Sequence, residues 1–343
     1  MEHDIADAAT TGEIIDAARE VLAEDVWDYI EGAAETETTA RRNRAALDRL
    51  ALRPRVLRDV AAVDTATELA GLPLRIPLLL APLGAMQAFT PAGGLASAQA
   101  AERFGIPVMV SCVTEPGFAE IAANSAAVKI AQIYVRGDQR WSDEIVDRVV
   151  AAGYAGIALT VDVAYYGRRE RQLRGSWRPP GFTGEHEPGR EWQARVDWDW
   201  MARMRDRGGL PFVIKGIQTA VDAERAVDLG VEVIYVSNHG GRQLDHAEAA
   251  IETLTEVVEA VAGRAQIVVD GGVERGTDVL KAIALGADAV GLGRLQAYAL
   301  AAGGASALVR LLEILEEEIR IAMGLLGVTR IAQLDRGYVK RAT

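Results

Sequence analysis

A single cysteine, Cys112, stands in a chain of 343 residues. No internal disulfide framework can hold such a chain together, and a reducing compartment is expected. The start, M-E-H-D-I-A-D, is acidic and lacks the basic-then-apolar order of a secretory leader, so the expected location is cytoplasmic. No window approaches the roughly 18 uncharged apolar residues that a membrane span needs. An excess of positive charge is missing too: the formal net charge is −12 and the pI is 5.0. A nucleic-acid backbone or an anionic membrane surface is therefore a poor partner. Three chemical signatures are also lacking. There is no H-E-x-x-H, no G-x-S-x-G, and no G-x-G-x-x-G after a first strand. His239 and His246 have no cysteine or carboxylate support at metal-ligand spacing.

What the chain does have is repetition. Short apolar runs recur as PLLLAP (77–82), PVMVS (107–111), VKIAQIY (128–134) and GIALTVD (156–162). They continue as FVIKG (212–216), VIYVSN (233–238), IVVDGG (267–272) and AVGLGR (289–294). The runs are continuous rather than alternating, as expected of strands buried on both faces. Segments of helical period lie between them, several closing on a glycine, as at Leu229-Gly230 and Leu285-Gly286. Eight such units predict a (β/α)₈ TIM barrel. A doubly wound sheet is the competing layout.

Half of the residues are hydrophobic, enough for one large core. We expect a single domain over 1–343, with a helical lead-in at 1–60, a barrel at 77–310 and a C-terminal helical segment at 311–343. Residues 171–211 break the repeat after the fourth strand and carry Trp177, Trp192, Trp198 and Trp200. A segment of this length in a compact domain reads as a lid-like insert or an oligomer contact. The acids Glu185, Glu187, Glu191, Asp197 and Asp199 exclude a membrane belt.

Barrel active sites sit where the strands end. Here those ends carry Gly84, Ser111, Gln132, Tyr134, Thr160, Asp162, Lys215, Ser237 and His239, then Asp270-Gly271-Gly272 and Gly293-Arg294. A lysine inside V-I-K-G is costly without an anionic partner. Bare glycine backbone and an arginine after the last two strands form the usual phosphate-binding pattern of a barrel.

The run S-N-H-G-G-R-Q-L-D (237–245) resembles the signature of the FMN-dependent 2-hydroxy acid oxidases and dehydrogenases, a family that includes glycolate oxidase, lactate oxidase and mandelate dehydrogenase. D-Y-I-E-G-A-A-E (28–35), A-P-L-G (81–84), Q-I-Y (132–134), T-V-D-V-A-Y-Y-G-R-R-E-R (160–171), V-I-K-G and G-R follow in family order. The resemblance implies oxidation of an (S)-2-hydroxy acid to the 2-oxo acid, with hydride passing to flavin N5. His239 is then the base, and Arg169 and Arg242 hold the carboxylate. Tyr29 and Tyr134 contact the substrate, and Asp162 orients the network. For FMN it implies Pro82, Leu83, Gly84, Ser111, Gln132 and Thr160 around the ring, with Lys215 and Ser237 at one edge. Asp270, Gly271, Gly272, Arg275, Gly293 and Arg294 then serve the ribityl chain and phosphate. A tetramer or octamer is implied, with oxygen, a quinone or a redox protein as electron acceptor.

Three departures qualify the resemblance. Val113 stands where short-chain oxidases place a bulky ring, which predicts a roomier pocket. The 160–171 stretch is more similar to mandelate dehydrogenase than to glycolate oxidase, pointing to a mandelate-like or longer-chain acid. Glu274 replaces the first of two arginines expected after D-G-G-V. We expect Glu274 to turn outward, leaving Gly271, Gly272 and Arg294 to hold the phosphate. The alternatives are a flavoprotein of the same barrel with little turnover, and an FMN isomerase or reductase.

Overall fold

Each of the eight apolar runs forms a strand in the computed structural model, which describes residues 5–180 and 189–342. The strands are β1 (Leu78–Leu80), β2 (Val108–Ser111), β3 (Lys129–Ile133) and β4 (Gly156–Thr160). They continue with β5 (Phe212–Ile217), β6 (Val233–Val236), β7 (Gln266–Val269) and β8 (Ala289–Leu292). All pair in parallel with their sequence neighbours, and β8 closes on β1 through Val290↔Leu78. The (β/α)₈ barrel is therefore the fold, and the doubly wound sheet is excluded by closure.

Alternation along each strand explains the continuous runs. Leu79, Met109, Ile130, Ala158, Val213, Val233, Val268 and Ala289 form a small inner core. Their neighbours, such as Leu78, Leu80, Val108 and Val110, join the larger core beneath the helices. Both faces are dry, so neither can be polar. Two residues beyond the inner layer, the same faces carry Ser111, Gln132, Thr160, Lys215 and Asp270. The period of two thus lifts the polar groups onto one floor at the C-terminal end of the barrel.

The lead-in is helical only at its start. Helices α1 (Thr11–Val21), α2 (Glu24–Glu31) and α3 (Thr38–Asp48) give way to Leu50–Leu52, which pairs antiparallel with Val339–Arg341. Helix α2 buries Val26 and Ile30, one turn apart, and opens with Glu24 and Asp25, which suit its N-terminal dipole. A hairpin of Thr67–Leu69 and Leu72–Leu74, which the sequence did not suggest to us, sends Leu69 and Leu74 into the inner core.

Two further boundaries differ from expectation. Helix Trp198–Gly208 is the ordinary fourth helix of the barrel, not part of an insert. Asp197 caps it through Trp200 N, and Trp200 Nε1 donates to buried Ser142 at 3.1 Å. Tryptophan density near a proline-rich stretch concealed that helix. The departure from the repeat lies between Thr160 and Asp197, and its middle, residues 181–188, falls outside the described residues. The last helix, Arg294–Leu326, runs past the expected barrel limit and breaks its regular geometry at Gly303 and Gly304. Among the described residues it is the one helix long and apolar enough to cross a membrane. Leu308, Leu311, Leu315 and Ile319 bury its inner face in the core.

Candidate active site

A cavity of 1030 Å³ opens over the C-terminal ends of the strands. Its floor is a chain of buried hydrogen bonds. Ser111 Oγ donates to Gln132 Oε1 at 2.6 Å, and Gln132 Nε2 donates to Thr160 Oγ1 at 2.8 Å. Next along the floor, Lys215 is 4% exposed, donates to Ser237 Oγ at 2.8 Å and lies 3.4 Å from Asp270 Oδ2. The anionic partner that a buried ammonium demands is therefore Asp270.

The loop after β6 supplies the groups above this floor. His239 adopts φ 57°, a left-handed conformation rare outside glycine and often found at functional sites. Gly241 must be glycine, since a Cβ there would lie 2.5 Å from Ala40 N of α3. His239 Nδ1 faces Asp162 Oδ1 at 3.0 Å, and its Nε2 faces the Tyr134 hydroxyl at 3.4 Å. Burial lowers the histidine pKa below its ordinary value, overriding the upward pull of Asp162. Burial pushes the carboxyl of Asp162 up, but His239 and Lys215 outweigh it and leave the acid below its usual range. An ionised Asp162 only accepts, so the imidazole proton sits on Nδ1 and Nε2 keeps its lone pair.

Two guanidiniums flank the imidazole. Arg242 Nη1 donates to the carbonyls of Ile30 and Gly32 at 3.1 and 2.6 Å, which ties it to the end of α2. Arg169 donates to Arg242 O at 3.3 Å, to Gln243 Oε1 at 3.3 Å and to the Tyr166 hydroxyl. Burial first, then Arg169 and Arg294, depress the Arg242 pKa. A guanidinium remains charged in proteins, so this corner is a dehydrated cluster of cations suited to an anionic ligand. Tyr29 Oη donates to Gly84 O at 3.3 Å beneath the Trp177 ring, whose centroid is 5.5 Å away.

Most of the residues expected at the site line this cavity: Pro82, Leu83, Gly84, Tyr29, Tyr134, Arg169 and Lys215, then His239, Arg242, Asp270, Gly271, Gly272, Gly293 and Arg294. Ser111, Gln132 and Thr160 form the hydrogen-bonded floor beneath that wall, and Asp162 and Ser237 stand one layer behind it, bonded to His239 and Lys215. Arg275 is the exception. It turns away and pairs with Glu318 at 2.5 Å, so it is not part of the cavity wall. Glu274 does not swing clear as expected: it is exposed at the rim yet still contributes to the wall. Burial of its carboxyl, with Asp278, Glu31 and Asp48 nearby, raises its pKa, while Arg44 opposes them.

Sequence reasoning missed what the lead-in contributes. Arg44 of α3 lines the cavity, donates to Gly272 O at 2.6 Å and pairs with Asp278 at 2.6 Å. Asn43 and Asn238 exchange amide hydrogen bonds at 2.9 and 2.8 Å. Asp245, the last residue of the signature, touches no part of the cavity wall. Its Oδ1 accepts from Thr39 N at 2.8 Å and its Oδ2 from Thr36 Oγ1 at 2.7 Å. The only signal in the sequence was the density of polar residues in T-T-A-R-R-N-R.

A family model described as FMN-dependent dehydrogenase matches residues 18–341. A peroxisomal (S)-2-hydroxyacid oxidase of Arabidopsis thaliana is 38% identical over 96% of this chain and 95% of its own length. The 4-hydroxymandelate oxidase of Amycolatopsis orientalis is 39% identical over 93% of this chain and 95% of its own. A crystal structure of mandelate oxidase superposes with a TM-score of 0.91 at 38% identity, covering 98% of this chain and 100% of that one.

Proposed function

The chain belongs to the FMN-dependent dehydrogenase family, and from that premise we propose that it oxidises a mandelate-like (S)-2-hydroxy acid with His239 as base and Arg169 and Arg242 as carboxylate clamp. It is an FMN-dependent 2-hydroxy acid oxidase or dehydrogenase. The observation that carries the assignment of roles is the Asp162–His239 pair, 3.0 Å apart and flanked by the buried Arg169 and the half-buried Arg242.

The residues present fit the cofactor. Asp270 Oδ1 is buried without a hydrogen-bond partner among the described residues, and a carboxylate oxygen has lone pairs enough to accept from a ligand hydroxyl beside a protein donor. Gly271 and Gly272 hold φ of 104° and 77° with backbone bared toward the cavity, and Arg294 completes that end. Asp270, Gly271, Gly272, Gly293 and Arg294 are thus the residues to hold the ribityl phosphate. Pro82, Leu83 and Gly84, with the Ser111–Gln132–Thr160 chain and Lys215 beneath, are those to hold the ring. Bound there, FMN supplies the acceptor for the hydride lost from the substrate carbon.

The protein's own contribution is binding and proton transfer. Arg242 and Arg169 bind the carboxylate with forked donors. That fixes the neighbouring hydroxyl toward His239 Nε2, which takes its proton. The imidazolium so formed is stabilised by Asp162 across Nδ1, and Tyr134 and Tyr29 add hydroxyl donors on the cavity side. Val113, a small side chain in the cavity wall, supports a wide pocket. Curated relatives named as oxidases support oxygen as the acceptor. The same reading takes the active form to be a cytoplasmic homotetramer.

Anaerobic mixing of the yellow protein with (S)-mandelate, (R)-mandelate and glycolate tests this reading. (S)-Mandelate is expected to bleach the flavin, with kcat/KM exceeding that of glycolate by roughly 10- to 200-fold. Equal bleaching by both enantiomers, or a preference for glycolate, would overturn it.

A further inference from the structure

Beneath the site floor one interior side chain is out of character with the rest. Tyr235 of β6 points into the barrel and is fully buried among Val213, Val233, Val268 and Ala289. A tyrosine in such a core ordinarily finds a partner for its hydroxyl. Here neither Tyr235 Oη nor Asp270 Oδ1 has a hydrogen bond of standard geometry among the described residues. The two nonetheless lie close together, since one added atom, a Cβ on Gly291, would be within 4 Å of both side chains, and after burial the Asp270 carboxylate is the chief cause of the raised tyrosine pKa.

The space for this hydroxyl is built in. Gly291 of β8 stands opposite, and a Cβ there would fall 1.7 Å from Tyr235 Oη and 3.4 Å from Asp270 Cβ. Any other residue at 291 forces the phenol hydroxyl from this position. Tyr235 is also the register neighbour of Lys215, whose Nζ lies 4.9 Å from the centroid of the tyrosine ring. Asp270 Oδ2 is engaged with Lys215 at 3.4 Å, leaving Oδ1 as the oxygen open to the phenol.

We propose that Tyr235 is a positioning residue for the cofactor edge, donating its hydroxyl to Asp270 Oδ1 and so setting how much positive charge Lys215 presents to the flavin. With the phenol in place, Asp270 shares its charge between two donors, and Lys215 keeps an outward field. Without it, the carboxylate draws on Lys215 alone and its own negative charge is less compensated. Electron uptake by a ring above this pair then becomes less favourable. The inference rests on the reading that the flavin edge lies at Lys215.

The test is the two-electron midpoint potential of bound FMN, measured on the holoprotein. Tyr235→Phe keeps the ring and removes only the oxygen. The expected result is retained FMN, a little-changed melting temperature and about a tenfold weaker hold on the reduced cofactor, a potential about 30 mV more negative. In a Lys215→Met background the same substitution is expected to lose most of that shift. An unchanged potential in Tyr235→Phe overturns the proposal, and an undiminished shift in the Lys215→Met background overturns its route. Lys215→Met alone must also lower the potential, and its failure to do so sinks the underlying reading of the flavin edge. Should Tyr235→Phe fail to retain FMN, Gly291→Ala displaces the hydroxyl while leaving the phenol, and the same shift is required of it.

Discussion

Asp162 Oδ1 lies 3.0 Å from His239 Nδ1, with the carboxylate side chain 5% exposed and its second oxygen without a hydrogen-bond partner among the described residues. The acid therefore spends its one formed contact on the imidazole. Burial holds the His239 pKa below 6.5 although Asp162 pulls it upward. A base must be neutral to work, so kcat/KM is expected to rise with pH along an acidic limb centred below 6.5 and to be level at neutral pH. Asp162→Asn removes the upward pull and the tautomer lock together. The limb should move further to acid while the rate falls by roughly 10²–10⁴, with FMN retained. A limb unmoved by Asp162→Asn would mean that another group sets it.

Arg242 gives a different signature. Its contacts to Ile30 O and Gly32 O hold the guanidinium in place before any ligand arrives. Arg242→Met is expected to weaken binding of a carboxylate inhibitor by about 10- to 150-fold, from the roughly 1.5–3 kcal/mol of a charge-assisted bond. Arg242→Lys should recover little of this, because an ammonium lacks the planar fork. Full recovery by lysine would show that charge alone is read at this position. Flavin-monitored inhibitor titration checks it.

The floor of the site was legible because strand alternation is a local rule. Once Met109, Ile130, Val213 and Val268 are assigned inward, Ser111, Gln132, Lys215 and Asp270 must follow two residues on. The lead-in was not legible. Asn43 and Arg44 meet Asn238 and Gly272 across about two hundred residues of chain, and nothing in T-T-A-R-R-N-R states which face of the helix is turned to the barrel. Arg275 failed for the same reason, since its partner Glu318 belongs to the last helix. Long-range ion pairs leave no periodic trace.

Asp245 should matter to stability rather than chemistry. Its carboxylate, screened from solvent, accepts from Thr39 N, Thr36 N and Thr36 Oγ1, joining the signature loop to α3. Burial pushes its pKa up, but the backbone bond from Thr39 and the others together depress it well below 3.8. A depressed carboxyl contributes stability above its unfolded pKa and loses it as pH falls through the folded one. Asp245→Asn is therefore expected to cost about 1–3 kcal/mol at neutral pH, with the gap to the parent narrowing below pH 3.8. Urea denaturation at pH 7 and at about pH 3 checks the sign. A gap that widens in acid would contradict it.

The phosphate end sets Glu274 against Arg44. With Arg275 paired to Glu318, the cations in the wall include Arg44 and Arg294, and the Arg44 guanidinium is partly committed to Asp278 at 2.6 Å. Glu274 stands at the same rim, where it would oppose the phosphate dianion of the proposed cofactor site. Its raised pKa means that the neutral form becomes populated at a higher pH than for an ordinary glutamate, which eases this opposition in acid. Exposed at the rim, Glu274 is screened by solvent, so its removal is worth only up to about 1 kcal/mol. Glu274→Gln is expected to tighten FMN about fivefold, most clearly at neutral pH and above, with the difference shrinking in acid as the parent carboxylate protonates. Arg44→Ala should loosen FMN by more, because Gly272 loses its donor as well as the phosphate its charge. Quenching of FMN fluorescence by the apoprotein measures both. Unchanged affinity in Glu274→Gln across that range would place the carboxylate outside the reach of the phosphate, while unchanged affinity in Arg44→Ala would leave Arg294 and the glycine backbone as the whole of the phosphate site.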